Sequence, residues 1–206
     1  MKIRHLLLMV CVLLSLSLNA QEEIKPNSEG YFHIQIREDL YVISNMSWGG
    51  LAENGTPTQN SQLIVGKEKA LLIDTGMPEE GFADYVKSIT SLPLMVANSH
   101  GHFDHCGNNN QFDEIHIHPA DEELLKEQFG MKFTVDYKVS HLSDGDIINL
   151  GDRLVEVYHV PGHTKGTVVF GNLKLYESQL PESSLIQLGE KVPPDYVTDF
   201  LGNLFG

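Results

Sequence analysis

Apolar and polar residues alternate along much of the chain, and this alternation predicts a domain rich in strands. Stretches in which every second side chain is apolar are typical of strands on a half-buried sheet. Two apolar runs joined by Gly66-Lys67-Glu68 have the pattern of a hairpin. The predicted strands are Tyr31–Ile36, Leu40–Ser44, Gln62–Val65, Ala70–Asp74, Leu94–Ala97, Glu114–His118, Asp146–Leu150, Leu154–His159 and Thr167–Phe170.

A helical period replaces the alternation in two places. Phe82, Val86 and Ile89 fall on one apolar stripe and predict a helix within residues 79–90. A second predicted helix begins at Pro119 and ends at Gly130, because proline favours the first turn of a helix and glycine its end. Helices that recur between strands indicate sheets covered by helices, a layered α/β arrangement.

The first twenty residues have the pattern of an export signal. Two basic residues precede an apolar run from Leu6 to Leu14, and the small residue Ala20 ends the segment. The run is shorter than the roughly 18–20 apolar residues that span a bilayer. The pattern therefore favours cleavage after Ala20 and a periplasmic or secreted protein over stable membrane insertion. Residues 21–30 are then a polar linker, and residues 31–206 form the folded domain.

Charge and composition limit the classes of partner that the protein is expected to bind. The 206 residues include 14 Lys and Arg against 28 Asp and Glu, a formal net charge of -14, and the chain has no basic cluster. This balance excludes a protein that binds the phosphate backbone of nucleic acids, and leaves a small-molecule substrate as the expected partner. Once residues 1–20 are removed, Cys106 has no partner for an intrachain disulfide, so core packing or a metal must stabilise the domain. Nothing in the sequence sets the oligomeric state.

A dense group of metal-ligand residues follows the predicted strand Leu94–Ala97. Two histidines two residues apart, His100 and His102, can point their imidazoles at one ion from the end of a strand. A tight turn then brings Asp104 and His105 to a second position nearby. Imidazole and carboxylate ligands without a thiolate favour Zn²⁺, with iron and manganese as alternatives.

His163 is the candidate for a third ligand. A catalytic zinc ion needs three protein ligands and an open position, and His163 lies in a Gly/Pro loop between two predicted strands. The loop alone is weak evidence, but together with the cluster at residues 100–105 it makes His163 the expected third zinc ligand. His116 and His118 share one face of a predicted strand, and we expect them to be exposed or hydrogen-bonded rather than metal ligands.

These motifs resemble the metallo-β-lactamase fold superfamily over residues 40–170. The resemblance implies a four-layer αββα sandwich with the metal site at the sheet edges. By motif, it also implies a first zinc held by three histidines and a second held by an aspartate and a histidine. The matching segments are Leu72–Gly76, Ser99–Gly107 and Pro161–Gly166, the first zinc ligands are His100, His102 and His163, and the second are Asp104 and His105.

The resemblance also gives roles to residues outside the ligand set. Asp74 takes the place of a buried structural carboxylate that braces the histidine loop. Trp48 lies in a loop that is either a flap over the substrate or an ordinary surface loop.

The sequence departs from the family pattern after Phe170. The family's Gly-Asp turn is absent, and no histidine follows His163, so the fold is expected to be incomplete at its C-terminus. Either a segment has been lost, or an acid such as Glu177 or Asp199 substitutes, or the protein binds one ion. We therefore expect one tightly bound zinc and a weak second.

The resemblance implies a hydrolase in which a metal-bound hydroxide attacks an ester, thioester, lactone or β-lactam carbonyl, and the N-terminal pattern predicts that this hydrolase is exported. Asp104 would be the catalytic carboxylate that orients the hydroxide and carries a proton to the leaving group. Two alternatives remain: a degenerate scaffold with little or no activity, and a mononuclear iron oxygenase acting on persulfides. Metal content and stoichiometry distinguish the three.

Overall fold

The computed structural model describes residues 24–50 and 59–174, and the side chains of these residues up to position 171. The predicted export signal, the predicted truncation after Phe170, and the acids Glu177 and Asp199 lie outside the described residues. The strands are β1 Tyr31–Arg37, β2 Leu40–Asn45, β3 Ser61–Val65, β4 Ala70–Ile73, β5 Leu94–Ala97, β6 Glu114–Ile117, β7 Glu127–Gln128, β8 Met131–Lys132, β9 Lys138–His141, β10 Ile147–Asn149, β11 Arg153–His159 and β12 Val168–Lys174.

The helices of the described residues are short. The longest is α1, and Phe82, Ala83 and Val86 are its buried positions, as the apolar stripe predicts. No helix in these residues is long and apolar enough to cross a membrane. The α-helices are α1 Phe82–Ile89 and one turn at Phe103–Cys106, and the 3-10 helices are Met46–Trp48, Asn109–Gln111 and Pro119–Leu125.

Seven strands form the larger sheet, in the order β1-β2-β3-β4-β5-β6-β9. The first four strands pair antiparallel, and β4, β5, β6 and β9 pair parallel. Helix α1 makes the crossover that a parallel connection from β4 to β5 requires. The parallel strands end at a common edge, and the loop after β5 begins there.

The smaller sheet has the order β10-β11-β12 and packs on the inner face of the larger sheet. Helix α1 covers the opposite face of the larger sheet through Phe82 and Val86. Helix, sheet and sheet are three of the four predicted layers, and the chain after residue 174 lies outside the described residues. The core between the sheets includes Leu71, Ile73, Ala97, Leu142, Leu150, Val155, Val157, Val168 and Phe170.

The predicted helix from Pro119 to Gly130 is wrong in its second half. A 3-10 helix ends at Leu125, and a small hairpin of β7 and β8 follows. Phe129 and Gly130 form its turn with φ angles of 52° and 75°, so the glycine belongs to a hairpin rather than to a helix end. The sequence pattern does not predict β9, because Lys138–His141 contains a single apolar residue and so shows no alternation.

Candidate metal centre

Three histidines from two loops meet at the edge of the sandwich. His100 and His102 follow β5, and His163 lies in the turn between β11 and β12. A backbone hydrogen bond of 2.8 Å from Val168 N to Ser99 O joins the two segments. One ligand nitrogen from each histidine lies within 4.8 Å of the other two. The structure thus brings together the three residues predicted to hold the first zinc.

His100 has the properties of a metal ligand. Its side chain is buried, with 5% relative exposure, and its Nδ1 lies 3.0 Å from Ser99 Oγ. Its Nε2 is buried and has no hydrogen-bond partner among the described residues. Burial, and then the neighbouring His105, lower the pKa of His100 to about 4, so the imidazole is neutral at pH 7. A buried nitrogen with a free lone pair fits a zinc ligand, since such groups otherwise find a hydrogen bond.

The other two imidazoles complete a donor set suited to zinc. His102 Nδ1 lies 3.0 Å from His163 Nε2. His102 is half-buried and His163 is exposed, so the group is open to solvent on one side. Three imidazoles with an open side match the ligand number and accessibility of catalytic zinc sites.

Asp74 braces the histidine loop, as the resemblance implies. It follows β4 with a left-handed φ of 62° and is buried. Its carboxylate accepts hydrogen bonds of 2.7 Å from Ser99 N and from Ser99 Oγ. His105 Nδ1 lies 2.8 Å from Asp74 Oδ2. Burial alone would lower the pKa of His105, but the Asp74 carboxylate raises it, and the net shift is upward.

Asp104 and His105 lie beside the three histidines. The His105 ring is 4.1 Å from that of His100, and His105 Nε2 is 3.7 Å from Asp104 Oδ2. The metal-ligand group that forms within residues 24–50 and 59–174 contains the three histidines without these two residues. A second zinc on Asp104 and His105 therefore stays a prediction.

Asp121 joins the two ligand loops, a role that the sequence does not reveal. It is 1% exposed and accepts hydrogen bonds from Gly101 N at 3.0 Å and Gly166 N at 2.7 Å. It also accepts one from Thr164 Oγ1. Gly101 separates two ligands and Thr164 follows the third, so one carboxylate joins both ligand loops. Its only sequence signal is an acid in the first turn after Pro119, which the capping of a helix explains equally well.

A close approach of chain segments explains Gly166, three positions after His163. A Cβ on Gly166 would lie 2.7 Å from Asp121 Cγ and 2.9 Å from Asp121 N. The absence of a side chain there lets the 3-10 helix reach the ligand loop. A larger residue would push Asp121 away from its hydrogen bonds.

The remaining candidates lie outside the cluster. His116 Nδ1 lies 3.1 Å from Val96 O, and His118 Nδ1 accepts a hydrogen bond from Ala120 N, so both are hydrogen-bonded as predicted. Burial raises the pKa of the Cys106 thiol, and its Sγ donates to His100 O at 3.3 Å. Trp48 Nε1 donates to Glu79 Oε2 at 3.2 Å. Residues 51–58 of the loop that would form a flap lie outside the described residues.

The sequence is similar to known proteins, and this similarity establishes the family of the chain. The model of the metallo-beta-lactamase superfamily matches residues 55–173. The acyl-coenzyme A thioesterase MBLAC2 of Bos taurus is 29% identical over 178 residues, covering 68% of this chain and 61% of the relative. The human protein of the same name is 28% identical with the same coverage. The chain thus spans about three fifths of the length of these relatives.

Solved structures agree on the fold. Metallo-beta-lactamase SMB-1 bound to 2-mercaptoethanesulfonate has a TM-score of 0.55 at 19% identity, covering 71% of this chain and 59% of the other. MEM-A1, a subclass B3 metallo-beta-lactamase from a soil metagenome library, has a TM-score of 0.54 at 22% identity, covering 71% and 58%. At these identities the likeness establishes the architecture alone.

Proposed function

Because the chain belongs to the metallo-β-lactamase superfamily, we propose that it is a zinc-dependent hydrolase of acyl compounds, with a thioester or ester carbonyl as the reacting group. The buried Nε2 of His100, unpaired and grouped with nitrogens of His102 and His163, is the observation that carries the proposal. The curated relatives named as acyl-coenzyme A thioesterases support this substrate class. We place lactone and β-lactam carbonyls second, because the β-lactamase likeness is one of fold.

Hydrolysis adds water across the acyl bond. The water oxygen bonds to the carbonyl carbon, the bond from that carbon to sulfur or oxygen breaks, and the products are a carboxylic acid and a thiol or alcohol. Zinc on the three histidines would supply Lewis acidity that polarises the carbonyl and lowers the pKa of water. The protein holds the neutral His100 imidazole for that ion and excludes water from its buried side.

Asp104 is the residue that we propose moves the proton. Its carboxylate lies beside His105 at the edge of the cluster and is half-buried, so water can reach it. It accepts a proton from the attacking water and passes it to the leaving thiol or alcohol.

The first test replaces Asp104 by Asn, which keeps the size and removes the basic oxygen. We expect kcat for thioester hydrolysis to fall by roughly 10²–10⁴, the usual contribution of a general base, while one zinc stays bound to the three histidines. The matched control is Asp84→Asn on α1, where the side chain is 89% exposed. Steady-state kinetics and metal analysis on the same samples provide the readout, and unchanged turnover in Asp104→Asn would place proton transfer on another group.

Metal content tests the proposal as a whole. We expect one tightly bound zinc per chain and a weaker second, because Asp104 and His105 offer only two protein ligands. Stoichiometric iron in protein purified without added metal would instead favour the persulfide oxygenase. A folded protein that binds no metal would favour the scaffold.

We also propose that the protein is exported, on the basis of the basic start and apolar run before Ala20. The mature chain should then begin at Gln21. N-terminal sequencing of protein from the native host tests this, and an intact Met1 on the folded protein would contradict it.

A further inference from the structure

An apolar surface lies on the small hairpin that follows the 3-10 helix. We call it the hairpin patch, and it consists of Phe129, Met131 and Phe133. All three are exposed, and Phe129 has 79% relative exposure, the highest among the large exposed apolar residues of the described chain. Exposed apolar groups of this kind, next to a polar site, are typical of places that bind a ligand.

The hairpin patch is tied to the ligand loop. Gln128 is buried at the base of the hairpin, and its Nε2 donates to Gly101 O at 2.7 Å. Its Oε1 accepts from Phe103 N at 3.1 Å. Gly101 and Phe103 flank His102 in the sequence, so two hydrogen bonds from one side chain fix the hairpin against a metal ligand.

Two aromatic rings continue the apolar surface toward the histidines. The ring of Phe129 meets that of Phe103 edge-to-face, with centroids 6.4 Å apart. Phe103 lies between His102 and Asp104 in the sequence. Met131 pairs with Gln128 across the hairpin, and side chains of paired residues share a face, so Met131 lies on the side that contacts the ligand loop.

The backbone at Phe129 does not follow local preference. Phe129 has φ 52° and Gly130 has φ 75°, the two-residue turn that asparagine followed by glycine fills most readily. A left-handed conformation is unfavourable for a bulky residue. The ring gains little burial in return, since most of it is exposed. A residue held against its backbone preference and left in solvent points to a role in binding.

We propose that the hairpin patch binds the acyl chain of the substrate whose carbonyl reacts at the three histidines. The inference rests on the proposed hydrolysis and specifies its substrates as acyl compounds with a long, unbranched apolar chain. An apolar chain is the occupant that fits, because the patch consists of exposed apolar side chains and continues through Phe103 into the ligand loop. Each methylene removed from water should strengthen binding by about fourfold.

The test is Phe129→Asn, which suits the turn and removes the ring. The matched control is Ile36→Asn, which removes another exposed apolar side chain from β1 at the opposite edge of the larger sheet. We expect kcat/KM for a decanoyl thioester to fall at least tenfold in Phe129→Asn, while kcat/KM for the acetyl thioester of the same thiol changes less than twofold. The melting temperature should stay the same or rise, because asparagine favours the turn.

A binding experiment separates this inference from the proposed hydrolysis. Calorimetric titration of the zinc-loaded protein with decanoate and with acetate measures chain recognition without turnover. If no thioester is hydrolysed but decanoate binds the parent at least tenfold more tightly than it binds Phe129→Asn, the hairpin patch is a chain-binding site and the hydrolase proposal fails. If neither kcat/KM nor affinity for the long chain responds to Phe129→Asn beyond the control, the inference is overturned.

Discussion

Three hydrogen bonds converge on the carboxylate of Asp121, and they hold together the two loops that carry the metal ligands. An amide at this position keeps the shape of the side chain but offers one acceptor oxygen in place of two. Its NH₂ group would face a buried backbone N–H that needs an acceptor, Gly101 N or Gly166 N. Leaving such a donor unpaired costs about 1–3 kcal/mol.

We therefore expect Asp121→Asn to weaken zinc binding by roughly 10–100-fold, the usual effect of losing a residue that orients metal ligands. Competition with a chromophoric chelator measures the dissociation constant, and the Co²⁺-loaded protein should show a changed d–d spectrum. Asp113→Asn, at the exposed position directly before β6, serves as the control. Equal zinc affinity in parent and Asp121→Asn would mean that the two ligand loops hold their positions without the carboxylate.

The roles of single residues could be predicted from the sequence where the residue type is rare and the spacing is that of a known motif. His100, His102 and His163 follow from imidazole spacing and from a Gly/Pro turn between strands, and Asp74 follows from the family motif. Asp121 and Gln128 could not be predicted, because their roles come from backbone groups distant in sequence. A carboxylate that contacts Gly166 N across 45 positions leaves no local pattern.

At the scale of elements, the 3-10 helix Pro119–Leu125 makes the stability of the folded protein depend on the protonation of His118. His118 precedes it, and its Nδ1 accepts the Ala120 N–H at 3.2 Å, which requires an unprotonated nitrogen. Burial, and then the stacked ring of His159 at 3.9 Å, lower the pKa of His118 below 6.5. The unfolded chain therefore takes up this proton before the folded chain does. Stability from this group is present above about pH 6.5 and is lost as the pH falls through the lowered pKa.

We expect His118→Asn to remove this pH dependence, because the asparagine oxygen can accept the same N–H and does not titrate. Parent and variant should have similar free energies of unfolding at pH 7.5. Between pH 7 and pH 5 the parent should lose more stability than the variant, as measured by urea denaturation of zinc-free protein. Gln35→Asn, at an exposed position on β1 whose side chain does not titrate, provides the control. Parallel curves for parent and His118→Asn would contradict the expectation.

Strands were predicted better than the segment between β6 and β9. Alternation marks a half-buried strand over five or more residues, and β1, β2 and β11 appear where the pattern places them. The segment after Pro119 contains a 3-10 helix whose inward residues, Asp121 and Leu125, do not form an apolar stripe. Its hairpin strands have two residues each, too few for a period of two to be recognised.

For the whole molecule, zinc should act as a stabilising ligand of the folded state. Free zinc at 100 times its dissociation constant adds about 2.7 kcal/mol to the free energy of unfolding, which corresponds to roughly 5–10 °C in melting temperature for a chain of this size. We expect EDTA to abolish this shift. Because two imidazoles bind zinc more weakly than three, His163→Ala should show little or no shift.

Differential scanning calorimetry with and without zinc measures both effects. His141→Ala removes a histidine that is exposed and bonded to Glu122 at 2.8 Å, outside the cluster, and should keep the full shift. A full zinc shift in His163→Ala would remove His163 from the ligand set.

The distance along the chain between His102 and His163, 61 positions, sets the order in which the molecule can be assembled. A nascent chain that ends within β11 already contains His100 and His102, but the third imidazole has not been made and Asp121 has only one loop to join. The ligand set is complete only when β12 has paired with β11 and Val168 has met Ser99. Zinc can therefore bind to all three histidines only after the two sheets have formed and packed. It should slow unfolding far more than it speeds folding.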